Sequence, residues 1–398
     1  MEIKIIPHRL SGEIRAITSK SDAHRKIIAA ALADRETEIV MNMFSEDIEA
    51  TLRCIQALGG SWSKTEDGVL ISPIQKRSGK ISLDFGESGS TARFLLPVTA
   101  AIYEKADFCG RGRLGKRPFA EITRELRKNG TEIDSDMLPM HSEGRIKSGN
   151  FSLSGEISSQ FTTGLLFTLP LLENGGKITL TSPLQSAAYV GMTLDTLSVF
   201  GIDIQKTENE FSAVKQSYKS PGKICAEGDW SNSAFWIAAG KLCGNVNVTG
   251  LDENSRQGDK AINGLLECDE IDCSQIPDLA PVLAVLAASR NGKTVIKNAA
   301  RLRLKESDRI KSITALINAL GGKAEEKPDG IEIFGTGKLR GGTAESCADH
   351  RIVMAAAIAS CICDEPVIIN GAEAVNKSYP SFFEDFNTLG GEAYVQHR

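Results

Sequence analysis

Eight cationic side chains recur along this 398-residue chain, although its formal net charge is −5. They are Lys20, Arg25, Arg93, Arg117, Lys305, Arg309, Arg351 and Lys377. They gather near short polar segments that begin predicted helices, where unpaired backbone N–H groups and the helix dipole favour negative charge. Ammonium and guanidinium groups bind carboxylates and phosphates well. One such residue alone is more often a solvated surface charge, but the set predicts a protein that binds small anions.

Two carboxylates are candidates for proton transfer. Asp278, in Ile276-Pro277-Asp278-Leu279, has no cation within the first turn of the helix that follows, so we expect it to keep useful basicity. The alternative is that Asp278 caps that helix. Glu306 stands beside Lys305 and close to Arg309, whose charges should lower its pKa, so a role as proton donor depends on its burial.

The polar segments recur about every 70 residues, and such self-similarity predicts a repeated architecture. They start at Ser19, Ser88, Ser158, Ser231, Asp278 and Asp349, with intervals of 69, 70, 73, 47 and 71 residues. Each precedes an apolar run. Between most copies lies an amphipathic helix that ends in Gly and leads into a strand. Only the 47-residue interval is short, so one unit is expected to be reduced.

Hydrophobic patterning predicts two kinds of helix. Segments 161–172 and 279–288 are almost entirely apolar and should be buried, whereas 119–128 and 310–320 carry a polar face and should lie outside. Short β-branched strands are predicted at 177–181, 245–249, 294–297 and 366–370. The contrast predicts a core of buried helices wrapped by sheets and outer helices. Six units in two groups of three predict two similar domains.

The domain boundary is placed near the short interval. We predict one lobe at 18–226 and another formed by 1–17 with 227–398, since Pro221-Gly222-Lys223 is a turn-forming segment. The N-terminal strand at 3–6 would cross back to complete the second lobe. Two crossings would make a hinge, and the active site is expected in a cleft between the lobes.

Composition excludes several classes of protein. The acidic balance argues against a nucleic-acid partner, and the longest uncharged apolar run, Ile352–Cys363, is too short for a membrane helix. Nine cysteines without an export signal predict reduced thiols and a cytoplasmic protein. Cys361-Ile362-Cys363 is interpreted as buried small hydrophobes within an apolar helix. The five histidines have no metal-ligand spacing, so no metal site is expected.

Seven segments, in order, resemble the signatures of the 5-enolpyruvylshikimate-3-phosphate synthase (3-phosphoshikimate 1-carboxyvinyltransferase) family. They are Ser19-Lys20-Ser21-x-x-x-Arg25, Gly89-Ser90-x-x-Arg93, Lys116-Arg117-Pro118, Ser158-Ser159-Gln160, Lys305-Glu306-Ser307-Asp308-Arg309, Asp349-His350-Arg351 and Asn376-Lys377-Ser378-Tyr379-Pro380. One motif alone is weak, whereas seven in order from residue 20 to residue 383 are specific. The resemblance implies the α/β enolpyruvyl transferase fold, with two similar lobes. Each lobe would have three repeated α/β units, with buried parallel helices wrapped by mixed sheets.

The resemblance also implies a reaction. The 5-hydroxyl of shikimate 3-phosphate attacks C2 of phosphoenolpyruvate while C3 is protonated, and loss of a C3 proton and of phosphate yields the enolpyruvyl ether. This step belongs to the shikimate pathway, which leads to chorismate and aromatic amino acids. No cofactor is consumed, so the protein supplies acid, base and anion-binding groups. A monomer is expected because both substrates would fit within one chain's cleft.

Residue roles follow from the matched motifs. The residues implied to bind phosphoenolpyruvate are Lys20, Gly89, Arg117, Gln160, Arg309, Arg351 and Lys377. Those implied to bind shikimate 3-phosphate are Ser21, Arg25, Ser158, Ser159, Gln160, Ser186, Asp278 and Lys305. Asp278 would accept the hydroxyl proton, and Glu306 would exchange the C3 proton, with Lys20 and Lys377 as alternative partners. The small Gly89 implies inhibition by glyphosate in competition with phosphoenolpyruvate.

Two positions depart from the family pattern. Glu87 stands where the family usually has Asn, and its carboxylate would repel anionic ligands unless a cation neutralises it. Arg301 stands where the best-known members have Asn near the shikimate phosphate. An extra cation there could still serve that phosphate. Neither residue is assigned to the site.

The main alternative is the sister enolpyruvyl transferase that acts on UDP-N-acetylglucosamine and shares the fold. In that family Asn follows the first Lys, whereas Ser21 follows it here. A Cys usually lies five residues before its Arg-Pro pair, whereas Gly112 is at that position and Cys109 is three residues too early. It also lacks the Asp-His-Arg found at 349–351. A non-catalytic repeat scaffold is the other alternative, but it predicts no titratable groups in phase with the repeats.

Two nucleotide-binding motifs are rejected. Gly110-x-Gly112-x-x-Gly115 matches a dinucleotide fingerprint, but it lies in a cationic loop and the repeats do not predict a doubly wound sheet. Gly292-Lys293-Thr294 imitates the end of a phosphate-binding loop, but Ala287 stands where that motif needs Gly.

Overall fold

The computed structural model describes residues 1–75 and 79–396. Its α-helices are α1 (Lys20–Leu32), α2 (Glu46–Ala57), α3 (Gly89–Ile102), α4 (Ala120–Lys128), α5 (Ser159–Thr168), α6 (Ala187–Val199), α7 (Trp230–Cys243), α8 (Ile262–Leu265), α9 (Ala280–Ala288), α10 (Arg309–Ala319), α11 (His350–Ala359) and α12 (Phe382–Thr388). No helix within these residues is long and apolar enough to cross a membrane.

The strands are short, most of them four or five residues. They are β1 (Glu2–Ile6), β2 (Gly12–Arg15), β3 (Thr37–Val40), β4 (Ser61–Lys64), β5 (Gly68–Ser72), β6 (Ile81–Asp84), β7 (Lys105–Cys109), β8 (Glu132–Ile133), β9 (Met140–Glu143), β10 (Asn150–Leu153), β11 (Gly176–Leu180), β12 (Gln205–Lys206), β13 (Glu210–Ala213), β14 (Lys223–Cys225), β15 (Val246–Thr249), β16 (Glu270–Asp272), β17 (Asn291–Lys297), β18 (Lys323–Lys327), β19 (Gly330–Thr336), β20 (Gly342–Glu345), β21 (Val367–Asn370) and β22 (Glu392–Gln396).

The chain divides into two compact units. The continuous unit is Thr18–Glu227, and the two-segment unit combines Met1–Ile17 with Gly228–Arg398.

The sheets repeat one topology. In the continuous unit their strand orders are β14-β3-β5-β4, β6-β7-β9-β8 and β10-β11-β13-β12. In each, the first pair is parallel and the next two pairs are antiparallel. The two-segment unit repeats this pattern in β16-β17-β19-β18 and β20-β21-β1-β22. The predicted mixed sheets and repeated units are confirmed.

The reduced unit coincides with the short sequence interval. Strand β15 lies between Ser231 and Asp278, and it pairs with β2 alone, in parallel. An interval of 47 residues leaves too little chain for the two antiparallel strands that complete the other sheets. The N-terminal strand β1 fills a place in its own sheet, between β21 and β22, with Ile3 opposite Ile369 and Val395.

Helix burial follows the hydrophobic pattern. Every residue of α9 is buried, as predicted for a helix that is apolar on all sides, and every residue of α11 is buried as well. Helices α4 and α10 bury one face only. The helix predicted to end at Leu172 is shorter: α5 ends at Thr168, and the chain continues as a 3₁₀ turn over Leu169–Leu171. Pro170 accounts for this, because it has no N–H to donate to the main-chain oxygen four residues earlier.

Candidate active site

Asp278 lies at the centre of a cationic cluster in the two-segment unit. Its Oδ1 atom is 2.6 Å from Nη1 of Arg309 and 3.3 Å from Nζ of Lys305, and its Oδ2 atom is 3.4 Å from Nη2 of Arg351. The Asp278 side chain is 24% exposed, so the carboxylate remains within reach of a ligand. Three cations from two segments, 305–309 and 349–351, therefore surround one carboxylate.

This arrangement corrects two expectations about Asp278. The residue does not cap a helix, because the N-cap of α9 is Leu279. The expectation that Asp278 keeps useful basicity, which rested on the absence of a cation in the first turn of the helix, is not met without substrate. Burial alone would raise its pKa, but the charges of Lys305, Arg351 and Arg309 outweigh burial and hold the pKa well below its usual range. The error has a simple cause: these cations are distant in sequence, so the first turn of α9 did not reveal them.

Arg309 begins α10 and contacts three carboxylates. Its Nε is 2.8 Å from Oδ2 of Asp349, and its Nη2 is 2.8 Å from Oε2 of Glu306. Burial opposes the charge of Arg309, but Asp349, Glu306 and Asp278 outweigh it and raise the pKa of the guanidinium well above its usual range. The group is a permanent cation with a fixed orientation, which suits binding of a planar anion.

Lys305 and Arg301 are the less stabilised cations of this cluster. Burial lowers the pKa of Lys305, and the attraction of Asp278 only partly offsets it. Burial likewise lowers the pKa of Arg301, against the attraction of Asp278. Arg301, which the sequence analysis did not assign, therefore lies near enough to interact with the proposed base. Arg301 lies in the 3₁₀ turn Ala300–Leu304, which leads directly to Lys305.

Arg351 connects α11 to α7. Its Nη1 donates to the main-chain oxygen of Ser231 at 3.0 Å. The Ser231 hydroxyl donates to Oδ2 of Asp259, which is fully buried. Burial and the negative charge of Asp278 raise the pKa of Asp259 to about 6. Lys377 is buried at the end of the 3₁₀ turn Ala372–Lys377, which packs against α11.

Three buried helices of the continuous unit begin with neutral serine caps. Ser19 accepts from the Asp22 N–H, Ser88 from the Thr91 N–H and Ser158 from the Gln160 N–H. By contrast, α7 and α11 of the other unit are capped by Asp229 and Asp349. A serine cap adds no negative charge, so the positive end of each helix stays available to an anion.

Gly89 lies against two guanidinium groups. A Cβ atom at this position would be 2.6 Å from Nη1 of Arg93 and 2.8 Å from Nη1 of Arg117. Arg93 also donates to Oε1 of Gln160 at 3.0 Å, and Nε2 of Gln160 donates to Ser90 at 3.0 Å. The structure thus brings together Gly89, Arg117 and Gln160. It adds Arg93, which the sequence placed among the recurrent cations without a role.

Lys20 and Arg25 lie on α1, and each has defined partners within the continuous unit. Nζ of Lys20 is 2.8 Å from Oδ2 of Asp47. Arg25 donates to the Ser21 main-chain oxygen at 2.5 Å and to the hydroxyl of Thr193 at 2.9 Å. Burial lowers the pKa of Arg25 to about 10. These hydrogen bonds connect the Arg25 guanidinium to Ser21 and to α6.

The remaining serines of the predicted site begin helices. Ser159 is the first residue of α5, and Ser186 is the N-cap residue of α6, with a positive φ of 54°. Both are buried. The left-handed backbone at a non-glycine residue is uncommon and costs free energy that the surrounding structure must offset.

Three residues that position side chains of the site were not predicted from the sequence to belong to it. Asp349 orients Arg309, Asp47 holds Lys20, and Asp259 contacts Ser231. Asp349 was visible in a matched motif. Asp47 and Asp259 lie outside the repeated polar segments and the matched motifs, so only tertiary contacts reveal their roles.

The structure also places Glu87, which departs from the family pattern, and the two rejected nucleotide-binding motifs. The carboxylate of Glu87 occupies the space beside Gly112, where a Cβ atom would be 2.1 Å from Oε1. The segment Gly112–Lys116 is a 3₁₀ turn that follows β7. The sheet that contains β7 is a mixed sheet rather than a doubly wound one. Gly292-Lys293-Thr294 lies in strand β17. Among residues 1–75 and 79–396, no group of three His, Cys, Asp or Glu side chains is arranged to hold a metal ion.

Known proteins resemble this chain over its length. The family described as EPSP synthase (3-phosphoshikimate 1-carboxyvinyltransferase) matches residues 5–268 and 263–386. The 3-phosphoshikimate 1-carboxyvinyltransferase of Clostridium acetobutylicum is 42% identical, covering 98% of this chain and 98% of that protein. The protein of the same name from Clostridioides difficile is 39% identical, covering 98% and 97%.

Solved structures show the same architecture. A structure of EPSP synthase from Acinetobacter baumannii matches with a TM-score of 0.82 at 25% identity, covering 99% of this chain and 100% of that chain. The enolpyruvyl transferase NikO from Streptomyces tendae matches with a TM-score of 0.80 and covers 99% and 98%. At 16% identity the second likeness concerns the fold alone.

Proposed function

The chain belongs to the EPSP synthase family, and we propose that its cationic clusters bind the two anionic substrates of that family's reaction. It is a 3-phosphoshikimate 1-carboxyvinyltransferase of the shikimate pathway. It transfers the enolpyruvyl group of phosphoenolpyruvate to the 5-hydroxyl of shikimate 3-phosphate and releases phosphate. The alternative acceptor, UDP-N-acetylglucosamine, and the non-catalytic scaffold are not favoured by the relatives.

The observation that carries the proposed mechanism is the position of Asp278 among Lys305, Arg309 and Arg351. Without substrate, these cations keep the carboxylate ionised but make it a weak base. Anionic substrates compete with Asp278 for the same cations. As the negative charge of the substrates offsets that of the cations, the pKa of Asp278 should rise, so the carboxylate becomes a stronger base when the hydroxyl proton must be accepted.

We assign phosphoenolpyruvate to the most rigid cations. Arg309 and Arg351 are held by Asp349 and by the Ser231 carbonyl, so binding costs them little side-chain entropy. Arg117, beside Gly89, and Gln160, which contacts Arg93, would bind the same substrate. Lys20 and Lys377 complete the proposed set. That residues of both units act on the same substrates is part of this proposal.

We assign shikimate 3-phosphate to the serine-rich helix starts. Ser21, Ser158, Ser159 and Ser186 offer neutral donors at or near helix N-termini, where phosphate is favoured. Arg25, which also donates to the Ser21 main-chain oxygen, would contact shikimate 3-phosphate together with Gln160, Lys305 and Asp278, at its cyclohexene ring, its hydroxyls or its phosphate. Glu306, paired with Arg309, is the proposed group for exchange of the C3 proton, with Lys20 and Lys377 as alternatives.

The test is phosphate release from phosphoenolpyruvate with each acceptor in turn. Release with shikimate 3-phosphate alone supports the proposal. Release with UDP-N-acetylglucosamine alone would assign the chain to the sister reaction. Release with neither, from folded protein, would indicate a scaffold that retains the cations without the chemistry.

We also propose that the protein is a cytoplasmic monomer without a nucleic-acid partner. The acidic net charge and the cysteine content support this. Light scattering on the purified protein tests the oligomeric state, and a mass near 42.8 kDa is expected.

A further inference from the structure

The end of α7 and the turn after α11 bring two cysteines together, away from the candidate active site. Cys243 is the last residue of α7, and Cys361 lies in the 3₁₀ turn Ser360–Ile362. Helix α7 packs against α11 and against this turn, and the two thiols share a hydrogen bond. Both residues are partly exposed, so the expectation that Cys361 is simply a buried hydrophobe within a helix is wrong.

The surroundings of Cys243 favour its ionised form. The thiol of Cys361 donates to Cys243, the Leu10 N–H lies 3.4 Å from the Cys243 Sγ atom, and Arg9 and His8 add positive charge nearby. Together these outweigh burial and lower the pKa of Cys243 to about 6. They also overcome the dipole at the end of α7, which disfavours a negative charge.

The two cysteines have different protonation states near neutral pH. The shared hydrogen bond raises the pKa of Cys361 well above its usual range. Cys361 therefore stays a thiol at pH 7, while the ionised form of Cys243 is favoured. One nucleophilic sulfur beside one protonated partner is the pairing found where a resolving cysteine completes oxidation.

Small oxidants can reach both cysteines because each is partly exposed, and Cys361 also lines a cavity. A cavity of about 500 Å³ is lined by Cys361, Arg9, Lys241, Arg290, Lys338 and Asp364, among others. Its lining is mainly polar and cationic, which draws in small polar molecules. Cys363 also borders the cavity but is buried, and its thiol donates to the Ala359 oxygen at 3.2 Å.

We propose that Cys243 and Cys361 form a redox-active dithiol that hydrogen peroxide converts into an intramolecular disulfide. The Cys243 thiolate attacks one peroxide oxygen, the O–O bond breaks, and the departing hydroxide takes a proton to form water. The resulting sulfenic acid is then attacked by the sulfur of Cys361. The S–O bond breaks and a second water leaves with the Cys361 proton. Overall, two thiols lose two electrons and two protons to one peroxide, and two waters form.

The disulfide would join two helices that also meet at the candidate active site. Ser231, in the first turn of α7, accepts the hydrogen bond from Arg351, in the first turn of α11. The new bond would link the same two helices near their other ends, about 20 Å away along α7. Oxidation is thus expected to restrict relative movement of α7 and α11.

The experiment uses the full-length, reduced protein with a small excess of hydrogen peroxide at pH 7. Remaining thiols are alkylated, and peptides are mapped by mass spectrometry. The expected result is loss of two of the nine thiols, with a linked peptide pair containing Cys243 and Cys361 that dithiothreitol separates. Oxidation of other cysteines while this pair stays reduced would overturn the proposal, and so would a link between two chains.

Variants distinguish the two roles. Cys243→Ser should slow peroxide consumption at least about tenfold, because the remaining thiol is protonated. Cys361→Ser should stop at a sulfenic acid that dimedone traps. Cys268→Ser is the matched control, since that partly exposed thiol contacts only the Gly264 oxygen among the bonds described, and it should leave disulfide formation unchanged. These readouts do not depend on turnover, so they are independent of the proposed active site.

Discussion

Arg309 and Asp349 form an ion pair in which both side chains are buried, 1% and 0% exposed, with Nε 2.8 Å from Oδ2. Asp349 simultaneously accepts from the Arg351 N–H, so one carboxylate orients one site arginine and begins the helix that carries another. The proposed phosphoenolpyruvate-binding arginines are therefore positioned by a residue that need not touch substrate.

Replacing Asp349 by Asn is expected to lower the free energy of unfolding by about 3 kcal/mol, because it leaves a buried guanidinium with one fewer countercharge. Asn can still cap the helix, so the loss of unfolding free energy measures the effect of removing the charge. Urea denaturation measures it. The matched control is Asp364→Asn, which breaks the exposed Lys338–Asp364 pair and should cost less than about 1 kcal/mol. Equal losses in both variants would contradict this interpretation.

Asp278→Asn should fold normally and bind both substrates, yet lose about 100-fold or more in kcat, because the hydroxyl proton then has no acceptor. Phosphate release and substrate binding are measured on the same sample. Glu270→Gln, which changes an exposed carboxylate paired with Lys297, serves as the control and should retain turnover. Near-normal turnover of Asp278→Asn would eliminate Asp278 as the base.

Gly89→Ala should raise KM for phosphoenolpyruvate about tenfold and weaken inhibition by glyphosate, with a smaller effect on KM for shikimate 3-phosphate. The added methyl group would push against Arg93 and Arg117. Gly264→Ala is a suitable control because a Cβ atom there meets nothing within 4 Å. If millimolar glyphosate leaves the turnover of the unmodified protein unchanged, the inference from Gly89 is wrong.

The free energy of unfolding should fall as the pH rises, because Asp259 loses its proton in the folded protein only at higher pH. Its pKa is about 6 in the folded protein and near the ordinary aspartate value when unfolded, so between these values only the folded state holds the proton. Relative to Asp259→Asn, the unmodified protein is expected to lose about 2 kcal/mol between pH 4 and pH 6.5. Urea denaturation at several pH values tests this.

Asp136 provides the comparison for Asp259. Hydrogen bonds from Thr123 and Arg127 lower its pKa in the folded protein, so ionised Asp136 adds stability that is lost as the pH falls toward and below the ordinary aspartate pKa, the opposite direction from Asp259. Relative to Asp136→Asn, the unmodified protein should therefore not lose stability as the pH rises through the same range. A slope shared by the Asp259 and Asp136 variants would rule out the assignment to Asp259.

Cys109→Ser should leave turnover within about twofold of normal. Burial and the nearby Asp84 carboxylate raise the pKa of this thiol, so it is protonated at neutral pH and is a poor nucleophile or acid. Steady-state phosphate release measures the effect. A large loss would revive the sister reaction, in which a loop cysteine takes part.

The local sequence pattern was sufficient to predict the architecture. The period of the polar segments predicted the repeated units, and the short interval before Asp278 matches the two-stranded sheet of β2 and β15. The apolar run at 279–288 predicted the buried α9. These features are readable because helix burial and strand pairing follow from residue spacing over a few turns.

The electrostatics of the site depended on contacts between distant segments. Asp278 meets Lys305, Arg309 and Arg351 across 27, 31 and 73 residues, so its sequence neighbours misrepresented its pKa. The partnership of Cys243 with Cys361 was equally invisible. Residue types and period thus determined the fold and identified the cations, whereas tertiary packing alone decided which charges meet, because Coulomb energy and burial depend on distance in space rather than along the chain.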